Sequence, residues 1–406
     1  MNFMPYLSRN SAYAGNPIEE EDHLAAKMMA SGKTVIKLNR GDPAAYFPTP
    51  KYIVDAYVKA LKAGKTGYSY HAGIPELRTA VAKRYMKKYG AKIYPESVIV
   101  TQGVSEAILS FSSMFLDMGD RAVIFRPYYT LYMSSIMVCG GKPLIVDCAK
   151  NDRYEINPEA LSKALRKVRT KPKYMIFSNP SNPAGAVMGR DTLEKIVDIA
   201  NDNGIFLISD EIYDEIVYNG AKFVSISQIA RGVPHAILGG ASKDFDATGF
   251  RMGYAIIPGE DKKSAEIREK FADYAKMRLS SNTPAQYAFA EAISNSKMHV
   301  PAVAGMVSKI ESRANFAYKL VGECEYLSPV RPRGAFYLLA RIDMKRLNFR
   351  SDKEIVSRLL TEENVQVTRG SGFGADGCIR IVALAPESVL EEAIGRINKF
   401  FARHSK

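Results

Sequence analysis

The chain has 406 residues, 47% hydrophobic and 24% charged, with a formal net charge of +13. That is the make-up of a soluble globular chain with material for two or three domains, and no apolar run approaches the roughly 18 residues that a membrane span needs. Its four cysteines show neither CxxC spacing nor a histidine cluster, so neither a disulfide framework nor a metal site is expected.

The amino-terminal stretch MNFMPYLSRNSAYAGNPIEEED lacks an apolar signal core, which points to the cytoplasm, and the chain is expected to start extended. EEEDHLAAKMMASG then reads as a helix ended by Gly32, and TVIKLNRGDP (34–43) as a short strand running into Gly41. In PKYIVDAYVKALKAG, Ile53, Val54, Tyr57, Val58 and Leu61 form an apolar stripe closed by Gly64. A further helix opens at Pro75 and stops at Gly90, with Leu77, Val81 and Tyr85 inward.

From there short apolar runs alternate with amphipathic helices. The runs are SVIVTQG (97–103), RAVIFRPYY (121–129), KPLIVDC (142–148), KYMIFSNP (173–180), GIFLISDE (204–211), HAILGGASK (235–243) and MGYAIIP (252–258). Continuous apolar runs mark strands buried on both faces, hence an α/β fold with a mostly parallel seven-stranded sheet whose last strand is a candidate for antiparallel pairing. The densest basic run, LSKALRKVRTKPK (161–173), raises nucleic acid as a partner. Asn157, Pro158 and Glu159 instead read as a helix start, with Leu161 and Leu165 on one face and the lysines on the wet side, so neither nucleic acid nor membrane is expected to bind.

Beyond Gly259 come longer helices, a strand-like GAFYLLARI (334–342), a capping box from Ser351 to Glu354, a strand CIRIVAL (378–384) and a closing helix over 387–401. These form a smaller α+β unit to which both chain ends contribute. The expected division is 1–48 (amino-terminal segment and part of the small domain), 49–290 (large domain) and 291–406 (carboxy-terminal small domain).

In open α/β sheets ligands sit beyond the carboxyl ends of the strands, so the residues finishing each run are the candidates. Gly103, Val104 and Ser105 stand where a strand hands over to a helix, a place for phosphate. Tyr129 can stack on a heterocycle, and Asn179 and Asn182 follow another run. Asp210 closes a buried strand and needs a cation, with Tyr213 three residues on. Lys243 follows Ala236-Ile237-Leu238, and Arg251 lies eight residues later. An amine that forms an imine, an acid facing a ring nitrogen and a phosphate cup are together the needs of pyridoxal phosphate.

SNPSNPAGAV (178–187), SDEIYDEI (209–216) and ASKDFDATGFRMGY (241–254) stand in an order and spacing that resembles the class I and II aminotransferases, pyridoxal-phosphate enzymes of fold type I. The resemblance implies that Lys243 is the Schiff-base lysine, that Asp210 pairs with the pyridine nitrogen, and that Tyr213 and Asn182 contact the ring oxygen. It implies stacking by Tyr129, and phosphate contacts by Gly103, Val104, Ser105, Ser242 and Arg251. GYSYHAGIPELR (67–78) matches the segment whose tyrosine, here Tyr68, reaches a neighbouring subunit's phosphate, implying a homodimer with shared sites. Arg380 matches the arginine that grips the substrate carboxylate, with the Gly41 backbone on the other side. Asp246 departs from the family's usual small or apolar residue.

The implied reaction is ping-pong transfer of an amino group from an L-amino acid to a 2-oxo acid such as 2-oxoglutarate. KMRLSSNTPAQYA (276–288) and LNRGDP (38–43) resemble alanine aminotransferases, with aspartate as the other favoured donor and aromatic amino acids open. Arg278 is either a distal-carboxylate ligand or a structural helix-end cation. A carbon–sulfur lyase on the same fold, or a ligand-sensing regulator with such a domain, stay as alternatives. The glycine cluster GSGFGADG (370–377) runs into a strand rather than a helix, against a dinucleotide reading.

Overall fold

A strand apolar on every residue has no wet face, so it needs a helical layer on each side. The computed structural model, which describes residues 6–15, 19–148 and 153–406, meets that need. In chain order the elements are α1 (Glu19–Ala30), β1 (Ile36–Lys37), α2 (Lys51–Lys62), α3 (Pro75–Tyr89), β2 (Val98–Thr101), α4 (Gly103–Phe115), β3 (Arg121–Arg126), α5 (Thr130–Val138), β4 (Lys142–Asp147), α6 (Pro158–Arg166), β5 (Tyr174–Ser178), α7 (Arg190–Asn203), β6 (Phe206–Asp210), β7 (His235–Gly240) and β8 (Gly253–Ile256). There follow α8 (Lys262–Met277), α9 (Thr283–Ser294), α10 (Ser296–Gly322), β9 (Leu327–Pro329), β10 (Tyr337–Ile342), α11 (Asp352–Glu363), β11 (Val365–Gln366), β12 (Thr368–Arg369), β13 (Cys378–Val382) and α12 (Glu387–Arg403).

Seven strands make one sheet in the order β2-β8-β7-β6-β5-β3-β4. Its ladders β3–β4, β3–β5, β5–β6 and β6–β7 are parallel, and β8 runs antiparallel to both neighbours, as the last apolar run allowed. Alternate residues feed opposite layers. Val123, Met175, Leu207 and Ile237 pack on one face with Leu77, Val81 and Ile196. Ile124, Ile176, Ile208 and Leu238 pack on the other with Phe111, Ile136 and Phe271. Each such side chain contributes about 1.5–3 kcal/mol by leaving water, so the strand ends are held on a stiff platform.

The second unit is built on an antiparallel sheet, β12-β13-β10-β9, and a parallel pair, β1 with β11. Leu38 and Phe47 share its core with Ile310, Phe336, Ile379 and Ile397. That common core is what the proposed division into 1–48, 49–290 and 291–406 rests on.

Several local expectations change. The strand foreseen over 34–43 is two residues long, because from Asn39 onward the backbone is drawn into the cavity described below. Of the α2 stripe, Ile53 is buried, with Ala56 and Ala60 beside it, whereas Val54, Val58 and Leu61 are exposed. Helix α10 runs through Pro301: Asn295 caps it by accepting from the Met298 amide, and the hydrogen bond the proline forfeits falls on exposed Lys297, whose carbonyl can turn to water. Half of the capping box forms. Ser351 accepts from the Glu354 amide, but the Glu354 carboxylate reaches the Arg350 amide instead. Arg9–Tyr13 winds a 3-10 turn where an extended start was expected; residues 1–5 and 16–18 of that stretch lie outside the described residues. Among the described residues no helix is long and apolar enough to cross a membrane.

Candidate active site

A cavity of about 450 Å³ opens where β5, β6 and β7 end and the small unit's sheet faces them. It is lined by Gly41, Val104, Ser105, Tyr129, Asn182, Asp210, Tyr213, Ser242, Lys243, Arg251 and Arg380, so candidates from distant parts of the sequence meet here. Gly103 adjoins it as the first residue of α4. Asn179 is spent on structure, its side-chain oxygen accepting from the Met188 amide at 3.0 Å. Tyr68 does not line the cavity; it is 84% exposed.

Lys243 leaves the end of β7 and donates from Nζ to the Gly41 carbonyl at 2.6 Å. Burial lowers its pKa to about 8, with Arg251 and Arg380 pushing the same way and Asp42 and Asp210 opposing. Asp210, the last residue of β6, accepts from the Tyr132 hydroxyl at 2.7 Å and from the Ile212 amide at 3.3 Å. Its burial raises the carboxyl to about 6, more than these donors can offset.

Arg380 projects from the middle of β13. Its Nη1 donates to Asn182 Oδ1 at 2.9 Å, and its Nη2 donates to the Asn39 carbonyl and to Thr368 Oγ1. The guanidinium lies between the rings of Tyr337 and Phe373, 4.7 and 4.5 Å from their centroids, and its Nε has no protein partner. A planar fork so clamped can meet a carboxylate in one orientation. The Tyr213 hydroxyl meets that of Tyr337 at 2.8 Å. Tyr129 stands edge-on to Tyr132, centroids 5.5 Å apart, and hydrogen-bonds with Ser105.

Two glycines shape the corner beside α4. A Cβ on Gly103, which has φ +73°, would lie 2.6 Å from Arg251 Nη2; one on Gly253 would lie 2.5 Å from the Gly103 carbonyl carbon. Their absence lets the helix start, β8 and a guanidinium converge. Pyridoxal phosphate fits this donor set. The corner offers helix-terminal amides and a cation to a phosphate, and the buried Asp210 carboxylate has the unmet demand for a cation that a protonated ring nitrogen fills.

Sequence reasoning missed Tyr132, Tyr337, Phe373 and Asn39. It also missed the support behind Lys243, where Arg84 is paired with Asp214 at 2.8 Å and Glu215 at 3.1 Å, and burial, with the Asp214 carboxylate beside it, pushes the Asp244 carboxyl well above the usual carboxylate range. A buried tyrosine hydroxyl that needs a partner was the one available signal. Arg278 resolves toward structure: its Nε bonds Glu106 and its Nη2 the carbonyls of His71 and Val100, outside the cavity. Asp246 is buried with φ +48°, and burial, aided by Asp42, raises its carboxyl to about 7. Among the described residues no group of three or more histidines, cysteines or acids could hold a metal.

The family model for aminotransferase class I and II matches residues 33–397. An aspartate aminotransferase of Bacillus sp. (strain YM-2) is 35% identical over 93% of this chain and 94% of its own length. A glutamate-pyruvate aminotransferase of Haemophilus influenzae is 31% identical over 95% and 94%. Among solved structures, the alanine aminotransferase of Pyrococcus furiosus superposes with a TM-score of 0.93 at 33% identity, covering 98% of this chain and all of that one.

Proposed function

The chain belongs to the class I and II aminotransferases, and from that premise we propose that the cavity around Lys243 exchanges an amino group between an L-amino acid, alanine or aspartate, and a 2-oxo acid such as 2-oxoglutarate, in ping-pong order. Pyridoxal phosphate, on which this family depends, supplies an aldehyde for the amino group and a ring that accepts the electron pair left at the substrate's alpha carbon. The observation that carries the reading is one cavity holding a lysine of depressed pKa, a buried acid and a clamped arginine.

Each residue has a defined task. Nζ of Lys243, poised near neutrality, takes the proton from the alpha carbon and returns it on the other side of the reaction. Asp210 holds a proton at the ring nitrogen, and Tyr132 keeps its carboxylate aimed. Tyr213 and the Asn182 amide donate to the ring oxygen, while Tyr129 covers a ring face. The amides of Gly103, Val104 and Ser105, the Ser242 hydroxyl and Arg251 hold the phosphate. Arg380 fixes the substrate's alpha-carboxylate, the Gly41 backbone bounding the other side. Alanine and aspartate are both named among the relatives, so both are kept as donors.

The working unit in this reading is a homodimer in which Tyr68 reaches the partner's phosphate. Its support is a set of exposed apolar side chains on neighbouring segments, Val54, Val58 and Leu61 of α2 with Tyr68, Tyr70 and Leu279. The Thr283 hydroxyl donates to the Gly67 carbonyl and Arg278 to that of His71, tying those segments together. Four unpaired cysteines support a cytoplasmic setting. The test is Lys243→Ala: amino transfer from alanine or aspartate and visible absorbance with added pyridoxal phosphate should both be lost, and transfer at the wild-type rate would refute the reading.

A further inference from the structure

Tyr213 and Tyr337 face each other hydroxyl to hydroxyl at 2.8 Å, and only one hydrogen can lie between the two oxygens. In the aminotransferase reading the Tyr213 hydroxyl donates to the ring oxygen of the cofactor, so its own hydrogen is taken. We infer that Tyr337 is a positioning residue: it donates to Tyr213, turns that hydroxyl toward the ring oxygen and strengthens its donation. The inference rests on the aminotransferase reading and adds to it a residue that works through Tyr213.

The surroundings of Tyr337 hold it to that task. On β10 it stands opposite Val382 of β13, with Leu339 opposite Arg380, so Tyr337 and Arg380 are diagonal neighbours on one face of the small unit's sheet. The guanidinium lies 4.7 Å from the centroid of its ring. At its tip the hydroxyl abuts the backbone of Gly41, where a Cβ would come within 2.2 Å of it. The rings of Tyr213 and Tyr337 meet edge-on at 88°, with centroids 5.8 Å apart. Among the described residues neither hydroxyl has another hydrogen-bond partner.

The chemistry of the two phenols gives the shared hydrogen its direction. Burial pushes both upward, but Tyr337 stops at about 12, with Arg380 over its ring opposing the rise, while Tyr213 goes well above the ordinary tyrosine value. The stronger acid is the better donor. An acceptor that passes its own hydrogen onward makes each bond of the chain stronger.

Visible absorbance of the cofactor-loaded protein, titrated against pH, reads donation to the ring oxygen without turnover. A hydrogen bond to that oxygen favours the form that has lost its proton, so weaker donation moves the midpoint up. Tyr337→Phe keeps the ring over Arg380 and removes the hydroxyl: the midpoint should rise by roughly half a pH unit, kcat should fall about 3-fold, and KM for amino acids should stay within about twofold. Tyr213→Phe should raise the midpoint by about one to two pH units, and Tyr337→Phe added to it should change nothing more. A ring-fluorinated tyrosine in place of Tyr337 makes that hydroxyl a stronger acid and should lower the midpoint, a result that does not depend on how well the phenylalanine variant folds. A midpoint unmoved by either change at Tyr337, or an equal rise when Tyr337→Phe is added to Tyr213→Phe, overturns the role of Tyr337 and leaves the aminotransferase reading in place. A wild type that takes up no pyridoxal phosphate, or transaminates nothing, overturns that reading and Tyr337 with it.

Discussion

Lys243 and Gly41, 202 residues apart in sequence, are joined by a 2.6 Å hydrogen bond from Nζ to a backbone carbonyl. Two residues earlier the Asn39 carbonyl accepts from Arg380. One short segment thus supplies resting partners to both cations that must later turn to ligands.

Gly41 can hold that place because it has no side chain. A Cβ there would fall 2.2 Å from the Tyr337 hydroxyl and 2.9 Å from the Phe336 ring. Gly41→Ala should shift the segment, cost about 1–3 kcal/mol of stability and lower kcat/KM at least 100-fold. Thermal unfolding and steady-state kinetics measure the two effects, and an unchanged kcat/KM would contradict the proposed crowding.

Burial raises the Asp210 carboxyl to about 6. Between about pH 4 and 6 the folded chain keeps a proton that the unfolded chain has released, so this residue's contribution to stability falls as pH rises through that window and then levels off. At pH 7.5 the ionised group costs the cofactor-free protein up to ~3 kcal/mol. Asp210→Asn should therefore raise the melting temperature without cofactor by a few degrees at pH 7.5, with the gain vanishing near pH 4, while turnover falls 100-fold or more. Melting curves at the two pH values, with and without cofactor, are the check.

For Lys243 the shift has the opposite sense, down to about 8. The amine is then largely neutral above that pH, where an exposed lysine still carries its charge. Uptake of pyridoxal phosphate by the cofactor-free protein should accelerate with a midpoint near pH 8. A midpoint near 10 in stopped-flow absorbance would contradict the burial described.

The sheet was legible because most of its runs are continuously apolar through their middles, a pattern with few other solutions. Lys243, Asp210 and Asn182 were legible because they end such runs, and Arg380 because GSGFGADGCIRI resembles a family segment. Tyr337 and Tyr132 were not. Each sits inside an element where an aromatic side chain reads as core, and what distinguishes it is where its hydroxyl ends, at Tyr213 and at Asp210. Arg278 was ambiguous for a related reason, since a cation at a helix end reads alike whether it meets solvent, a substrate or the buried carbonyls of another strand.

Arg380 is stacked, forked and buried. Arg380→Lys keeps the charge but loses the fork, so KM should rise about 100-fold for amino and 2-oxo acids alike. Steady-state kinetics with both substrate classes test it, and a rise confined to one class would refute a shared alpha-carboxylate site.

Arg278→Met should act on stability. It removes the cation from Glu106 and a donor from two carbonyls, at about 1–3 kcal/mol, and should leave the preference between glutamate and alanine where it was. Denaturant melts and the ratio of the two kcat/KM values separate this outcome from a substrate role.

The corner where Gly253 meets Gly103 reaches beyond chemistry. Gly253 sits opposite Thr101 on one side and Gly240 on the other, and a Cβ there would lie 2.8 Å from the Val104 amide. A slip of β8 by a single residue would bring Met252 or Tyr254 into that slot and shut the phosphate out. Cofactor uptake is therefore a proofreading mark on assembly: a batch's yellow colour counts the molecules in which β8 has locked into register between β2 and β7.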